Sequence, residues 1–139
     1  MLFRWDTIGK VFQGNTQIRK FNEFVQFTRV SSVPNDSFNG AYLTEITLPS
    51  QITSIGSYAF KNAHIRELTV PAGVTQILSQ GFSTGYLTKV TMLGTTPPSI
   101  TSNNFSNSRY FYVPASALDT YKSASVWSSY ASYILPIPE

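Results

Sequence analysis

The chain repeats itself every 22 residues, and that period fixes what it can fold into. Segments 42–63, 64–85 and 86–108 superpose along their length, the third being one residue longer near Pro97 and Pro98. Leu43, Ile65 and Leu87 share one column, Ile46, Leu68 and Val90 the next, and Leu48, Val70 and Met92 a third. Ile52 pairs with Val74, Ile55 with Ile77 and Phe60 with Phe82, and Phe105 is the matching aromatic of the longer copy. One period earlier stand Phe21, Phe24, Val30, Val33 and Phe38, a diverged fourth copy, and Ile8 and Val11 precede Val30 and Val33 by the same step. A unit this short cannot bury its apolar side alone, so copies must stack on one another.

Within each copy the pattern L-x-x-I-x-L ends on two apolar residues separated by one polar residue, the alternation of a short half-buried strand. Pro49 and Pro71 then stop the strand, because proline has no N–H to give a ladder. A second apolar pair three residues apart, followed by phenylalanine, fits a tight arc aimed inward. The expected architecture is α+β, mostly β: a quasi-one-dimensional solenoid with parallel strands side by side. The sequence divides as one domain over 1–139, with a partial coil in 1–20, four repeats in 21–108, and a terminal strand and helical cap in 109–139.

The cap is read from a change of period. In the run RYFYV, Phe111 and Val113 fall in the inward columns, which turns Tyr110 and Tyr112 outward. After Pro114, Ser116 with Asp119 resembles a capping box, and Leu118, Tyr121, Val126, Trp127, Tyr130 and Ile134 recur at three or four, the period of an amphipathic helix or of two short helical turns. An end coil needs such a cover, since it otherwise exposes its apolar edge.

The runs LTEITLPSQITSIGSYAF (Leu43 to Phe60) and IRELTVPAGVTQILSQGF (Ile65 to Phe82) resemble the BspA-like type of leucine-rich repeat almost position by position. GTTPPSI (Gly94 to Ile100) with the segment Phe111 to Ile134 is similar to that family's closing repeat and cap, and IGKVFQGN (Ile8 to Asn15) with Phe21 to Val33 to its opening segment. The chain departs from it in carrying Gly40-Ala41, Asn62-Ala63 and Thr84-Gly85 where the family often has Gly-Cys. The resemblance implies a right-handed leucine-rich-repeat solenoid and a non-enzymatic binding protein at a bacterial surface, commonly exported. Similar sequences also occur in bacteriophage virions, which makes a virion or assembly component the alternative.

Composition narrows the chemistry. Eighteen Ser and 15 Thr make 33 of 139 residues, while charged residues are only 12% against roughly 25% in ordinary domains. The 10 Lys and Arg against 7 Asp and Glu are scattered singly, so no stripe for phosphates forms and nucleic acid is not expected as a partner. With no cysteine and one histidine, thiolate metal sites and nucleophilic triads are out of reach, and no cofactor is expected. No apolar run is long enough to span a membrane, and MLFRWDTIGK is not a signal peptide, so a surface location would require this chain to come from an exported precursor.

For catalysis, Glu23, Glu45 and Glu67 recur every 22 residues and align at about strand spacing, formally a glycosidase distance. A repeat produces such a column automatically, Lys89 continues it and can neutralise Glu67, and a single open sheet is expected to offer no cleft. His64 takes the position of Tyr42 and Tyr86, a turn site where packing is the expected role. The binding candidates lie on the outward strand face: Thr69 and Thr91 in a ladder begun by Thr47, then Lys89, Arg66, Tyr110 and Tyr112. The expected partner is a protein, with a glycan or a second copy of the chain as alternatives.

Overall fold

The computed structural model describes residues 31–42, 48–84, 86–105 and 110–138, together with the backbone of β1 (Phe3–Trp5), β2 (Val11–Gln13) and β3 (Thr16–Ile18). Leu43, Ile46, Thr47 and Glu45, the diverged copy up to Val30, and Asn107, Ser108 and Arg109 lie outside the described residues. Where the sequence suggests a partial coil, β1, β2 and β3 pair antiparallel, Phe3 with Gln13 and Val11 with Ile18. Two residues separate β2 from β3, and a connection that short permits only antiparallel pairing.

From residue 32 onward the 22-residue step becomes strand register. In β4 (Ser32–Val33), β5 (Ser54–Ile55) and β7 (Gln76–Ile77), Ser32 pairs with Ser54 and Ser54 with Gln76, all parallel. A bridge from Gln76 to Ser99 continues the series. The second sheet holds β6 (Glu67–Val70), β8 (Lys89–Met92), β9 (Tyr110–Val113) and β10 (Ile134–Pro136) in the order β10-β9-β8-β6. Leu68, Val90 and Phe111 share one inward column, and Ile134 joins it; all are buried.

Between the strands, coils are tied by main-chain bonds along their turns. Asp36, Phe38 and Gly40 donate to the carbonyls of Ser57, Ala59 and Lys61, and Tyr58, Phe60 and Asn62 repeat the bonds onto Ser79, Gly81 and Ser83. Asp36, Tyr58 and Gln80 share a left-handed backbone, φ 61, 58 and 54°, two residues before each core phenylalanine. That reversal aims the ring inward, and a tyrosine or glutamine adopts it only at a steric cost. Gly56 is the close approach: a Cβ there would stand 2.6 Å from the Asn35 nitrogen and 2.7 Å from the Val33 oxygen.

Phe38, Phe60, Phe82 and Phe105 form a buried ladder with ring centroids 5.2, 5.1 and 5.8 Å apart and planes within 7°. Such offset stacking is the favoured parallel geometry of aromatic pairs. The hydroxyl-rich composition has a structural use as well. Thr53, Thr75 and Thr88 donate their hydroxyls to the carbonyls of Ser31, Thr53 and Arg66 in the preceding coil, and the buried Thr84 donates to Ala63. At buried Thr84 the uncharged donor avoids the desolvation cost an ammonium would carry, while the other three bonds lie at the exposed surface.

After β9 the chain turns through a 3-10 turn (Ala115–Ala117), α1 (Leu118–Ser123) and a 3-10 helix (Trp127–Tyr133) before β10. The spacing is divided between two short helical stretches, one of the two readings it allows, and Ile134 opens a strand instead of closing a helix. The split falls at Val126, whose φ of 69° is incompatible with a continuous right-handed helix. The expected capping box is also absent: α1 starts two residues after Ser116, at Leu118, with no side-chain bond at its N-terminus. Pro114 sets the 3-10 turn and leaves Ser116 inside it. Buried Trp127 donates its indole N–H to Pro98 O at 2.8 Å, and the Tyr121 hydroxyl donates to Gly94 O at 2.8 Å. Both bonds attach this segment to the Gly94–Pro98 stretch, where the repeat is irregular.

Candidate functional site

The period-2 alternation of the strands divides each into a buried and an outward set. In β6 the pattern exposes Glu67 and Thr69 and buries Leu68 and Val70. Because registers are parallel and in step, the outward residues line up across the sheet: Glu67 beside Lys89 beside Tyr110, and Thr69 beside Thr91 beside Tyr112, which neighbours Leu135. Tyr110 is 48% exposed, while Lys89, Thr91 and Tyr112 are half-buried and Arg66 is exposed at the entry to β6. The structure thus brings Thr69, Thr91, Lys89, Tyr110 and Tyr112 onto one face, with Arg66 at its margin. Thr47, which would open the ladder, lies outside the described residues.

Across β6 and β8 this face sinks into a groove of about 630 Å³, lined by Glu67, Thr69, Lys89 and Thr91 on the floor and by Leu48, Ser50, Pro71, Ala72 and Leu93 along the strand ends. The expectation that a single open sheet offers no cleft is corrected by it. Past the strand ends, Leu93, bonded through its N–H to Val70 O, lines the groove and is 50% exposed. Sequence reasoning passed over this apolar lip. Its signal was present: Leu93 takes the place in the series that Pro49 and Pro71 occupy, so an exposed leucine stands where the strand-ending proline is due.

Lys89 does not behave as the column argument expects. Its ammonium sits over the Tyr112 ring, 5.1 Å from the centroid, and the structure records no ion pair between it and Glu67, its register partner. A cation on a ring face is held by the quadrupole and keeps its N–H donors available. Glu67 is the carboxylate among the described lining residues, and its column partners Glu45 and Glu23 lie outside them. The groove therefore offers hydroxyls, one ammonium, one carboxylate and an apolar lip, which suits recognition.

His64 is stacked between Tyr42 and Tyr86 with ring centroids 4.3 and 4.1 Å apart, on a ridge where the two tyrosines are 57% and 47% exposed. Asn104, which the sequence presents as an ordinary turn former, is fully buried; its Oδ1 accepts from Gly81 N–H and its Nδ2 donates to Ile77 O. It lies beyond the added residue near Pro97 and Pro98, and its amide gives Ile77 O the donor that the main-chain N–H groups of Gly56 and Leu78 give Val33 O and Ile55 O in the preceding coils. No helix among the described residues is long and apolar enough to cross a membrane.

Residues 8–124 match the family model of the BspA type leucine rich repeat region, in six copies. No curated protein matches the chain.

Proposed function

The chain belongs to the BspA-type leucine-rich-repeat family, and from that premise we propose that it is a non-enzymatic binding module that engages a protein partner on the outward face of β6, β8 and β9. The family is a repeat scaffold for protein interaction, which gives the class of function. The observation that carries the reading is the groove itself: Thr69, Lys89 and Thr91 converge in it from adjacent strands, beside an exposed Tyr110 and an exposed Leu93. A polar floor with an apolar lip and an adjoining tyrosine is the anatomy of a contact surface, since tyrosine anchors interfaces with few rotors to immobilise. In this reading the solenoid is right-handed, the segment from Ala115 to Tyr133 covers its last coil, and the site of action is a bacterial surface, where family members typically occur.

The test is binding of the purified chain to a panel of purified host-matrix proteins, measured by biolayer interferometry. Thr69→Lys places a long charged side chain in the groove, and Tyr112→Ala removes the ring under Lys89. Both variants are expected to lose at least about tenfold in affinity, Thr69→Lys with an unchanged thermal midpoint and Tyr112→Ala with a small drop from loss of the Lys89 contact. Equal binding by the wild type and both variants would discard the strand face as the site.

A further inference from the structure

The last strand of the second sheet carries a feature that bears on how copies of this chain meet. In a parallel ladder, alternate residues turn both their N–H and C=O to the same neighbour. Ile137 donates its N–H to Val113 O at 2.8 Å, which fixes the parity of the strand: Leu135 and Ile137 face β9, while Ile134, Pro136 and Pro138 face away from it. Pro136 and Pro138 have no N–H to offer. The Ile134 N–H is already taken, donated to Ala131 O at the end of the 3-10 helix. Every outward position from 134 to 138 therefore lacks a free donor, and the edge presents carbonyl oxygens only.

We infer that β10 is an acceptor-only edge that stops the sheet, so that a second copy of this chain cannot be added there strand to strand. The natural form of that addition is an isologous dimer in which two β10 strands pair antiparallel about a twofold axis. Such a ladder alternates donors and acceptors from both sides, and two identical edges without donors leave facing carbonyls with no hydrogen between them. Proline at two of the three outward sites blocks pairing without weakening attachment to β9, because the β9-facing residues Leu135 and Ile137 keep their N–H groups. The inference is independent of the proposed partner surface, which lies on the face of the sheet and not on its edge.

The experiment restores the donors. Pro136→Val with Pro138→Thr returns two outward N–H groups in residues of high strand propensity, and sedimentation velocity over a wide concentration range compares it with the wild type. The expected result is a gain of roughly tenfold or more in self-association for the double variant, with the amides introduced at positions 136 and 138 protected from hydrogen exchange only at high concentration. A double variant that folds, associates no more than the wild type and exchanges both amides freely at every concentration would overturn the inference. Should the double variant fail to fold, Pro138→Thr alone, beyond the end of β10, restores one donor and is read by the same two measurements.

Discussion

The Lys89 ammonium rests over the Tyr112 ring, 5.1 Å from its centroid, although the register places Lys89 beside Glu67 on one flank and beside Tyr110 on the other. The diagonal contact spans two strands of the outward face. Both residues are half-buried, so the contact is partly shielded from solvent. In a double-mutant cycle with Lys89→Met and Tyr112→Leu, the coupling free energy from urea unfolding is expected at about 0.5–1 kcal/mol. A coupling indistinguishable from zero would mean that the pair contributes no more than an exposed side-chain encounter.

The phenylalanine ladder predicts where the fold is least forgiving. Phe60 is fully buried and stacked on both faces, by Phe38 and Phe82. Phe60→Ala should cost about 3–5 kcal/mol in urea unfolding, because it opens a cavity between two coils that cannot close without shifting the turn bonds. Phe60→Leu, which refills most of the volume, should cost clearly less.

At Asn104 the expected loss comes from polar groups. Asn104→Ala orphans Ile77 O, which accepts from the buried amide, while Gly81 N–H loses one of two acceptors and keeps Leu78 O. The orphaned carbonyl should cost about 1–3 kcal/mol. Asn104→Asp keeps the acceptor for Gly81 but sets a carboxylate against Ile77 O, so it should be at least as damaging near neutral pH and partly relieved in acid. Equal stability of the wild type and Asn104→Ala by thermal unfolding would contradict the role assigned to this residue.

Burial pushes the Tyr121 hydroxyl up to about 12 from its ordinary value near 10, while it donates to Gly94 O. The folded state thus holds this proton over an interval in which the unfolded chain has released it. Its contribution to stability is complete below pH 10 and lost progressively as the pH rises toward about 12. The denaturant midpoint of the wild type should fall through this window more steeply than that of Tyr121→Phe, which has no proton to lose. Parallel slopes for the two proteins would show that the hydroxyl is not held by the fold.

Much of the fold was legible in the repeat, for a physical reason: when every coil has the same length, inward residues at one step become neighbours across a ladder. Leu68, Val90 and Phe111 could be placed in one column before any coordinates, and so could the Phe60 and Phe82 stack. The outward placement of Tyr110 beside Lys89 followed from the same alternation. Asn104 could not be read this way, because its column holds Ala59 and Gly81 in the preceding copies, so the spacing carries no sign of an amide that bonds inward.

The sequence by itself determined the period, the columns it generates, the aromatic interior and the stacked architecture, all of which depend only on spacing and on apolar side chains needing a neighbour. Tertiary structure decided the rest. It bent the terminal segment at Val126, drew Ile134 out of a helical pattern into a strand beside Phe111, and raised Leu93 into the lip of a groove. It also turned Lys89 from Glu67 to Tyr112. These outcomes depend on which surfaces meet between coils more than 20 residues apart, and local spacing does not encode the direction a long side chain takes when two partners are within reach.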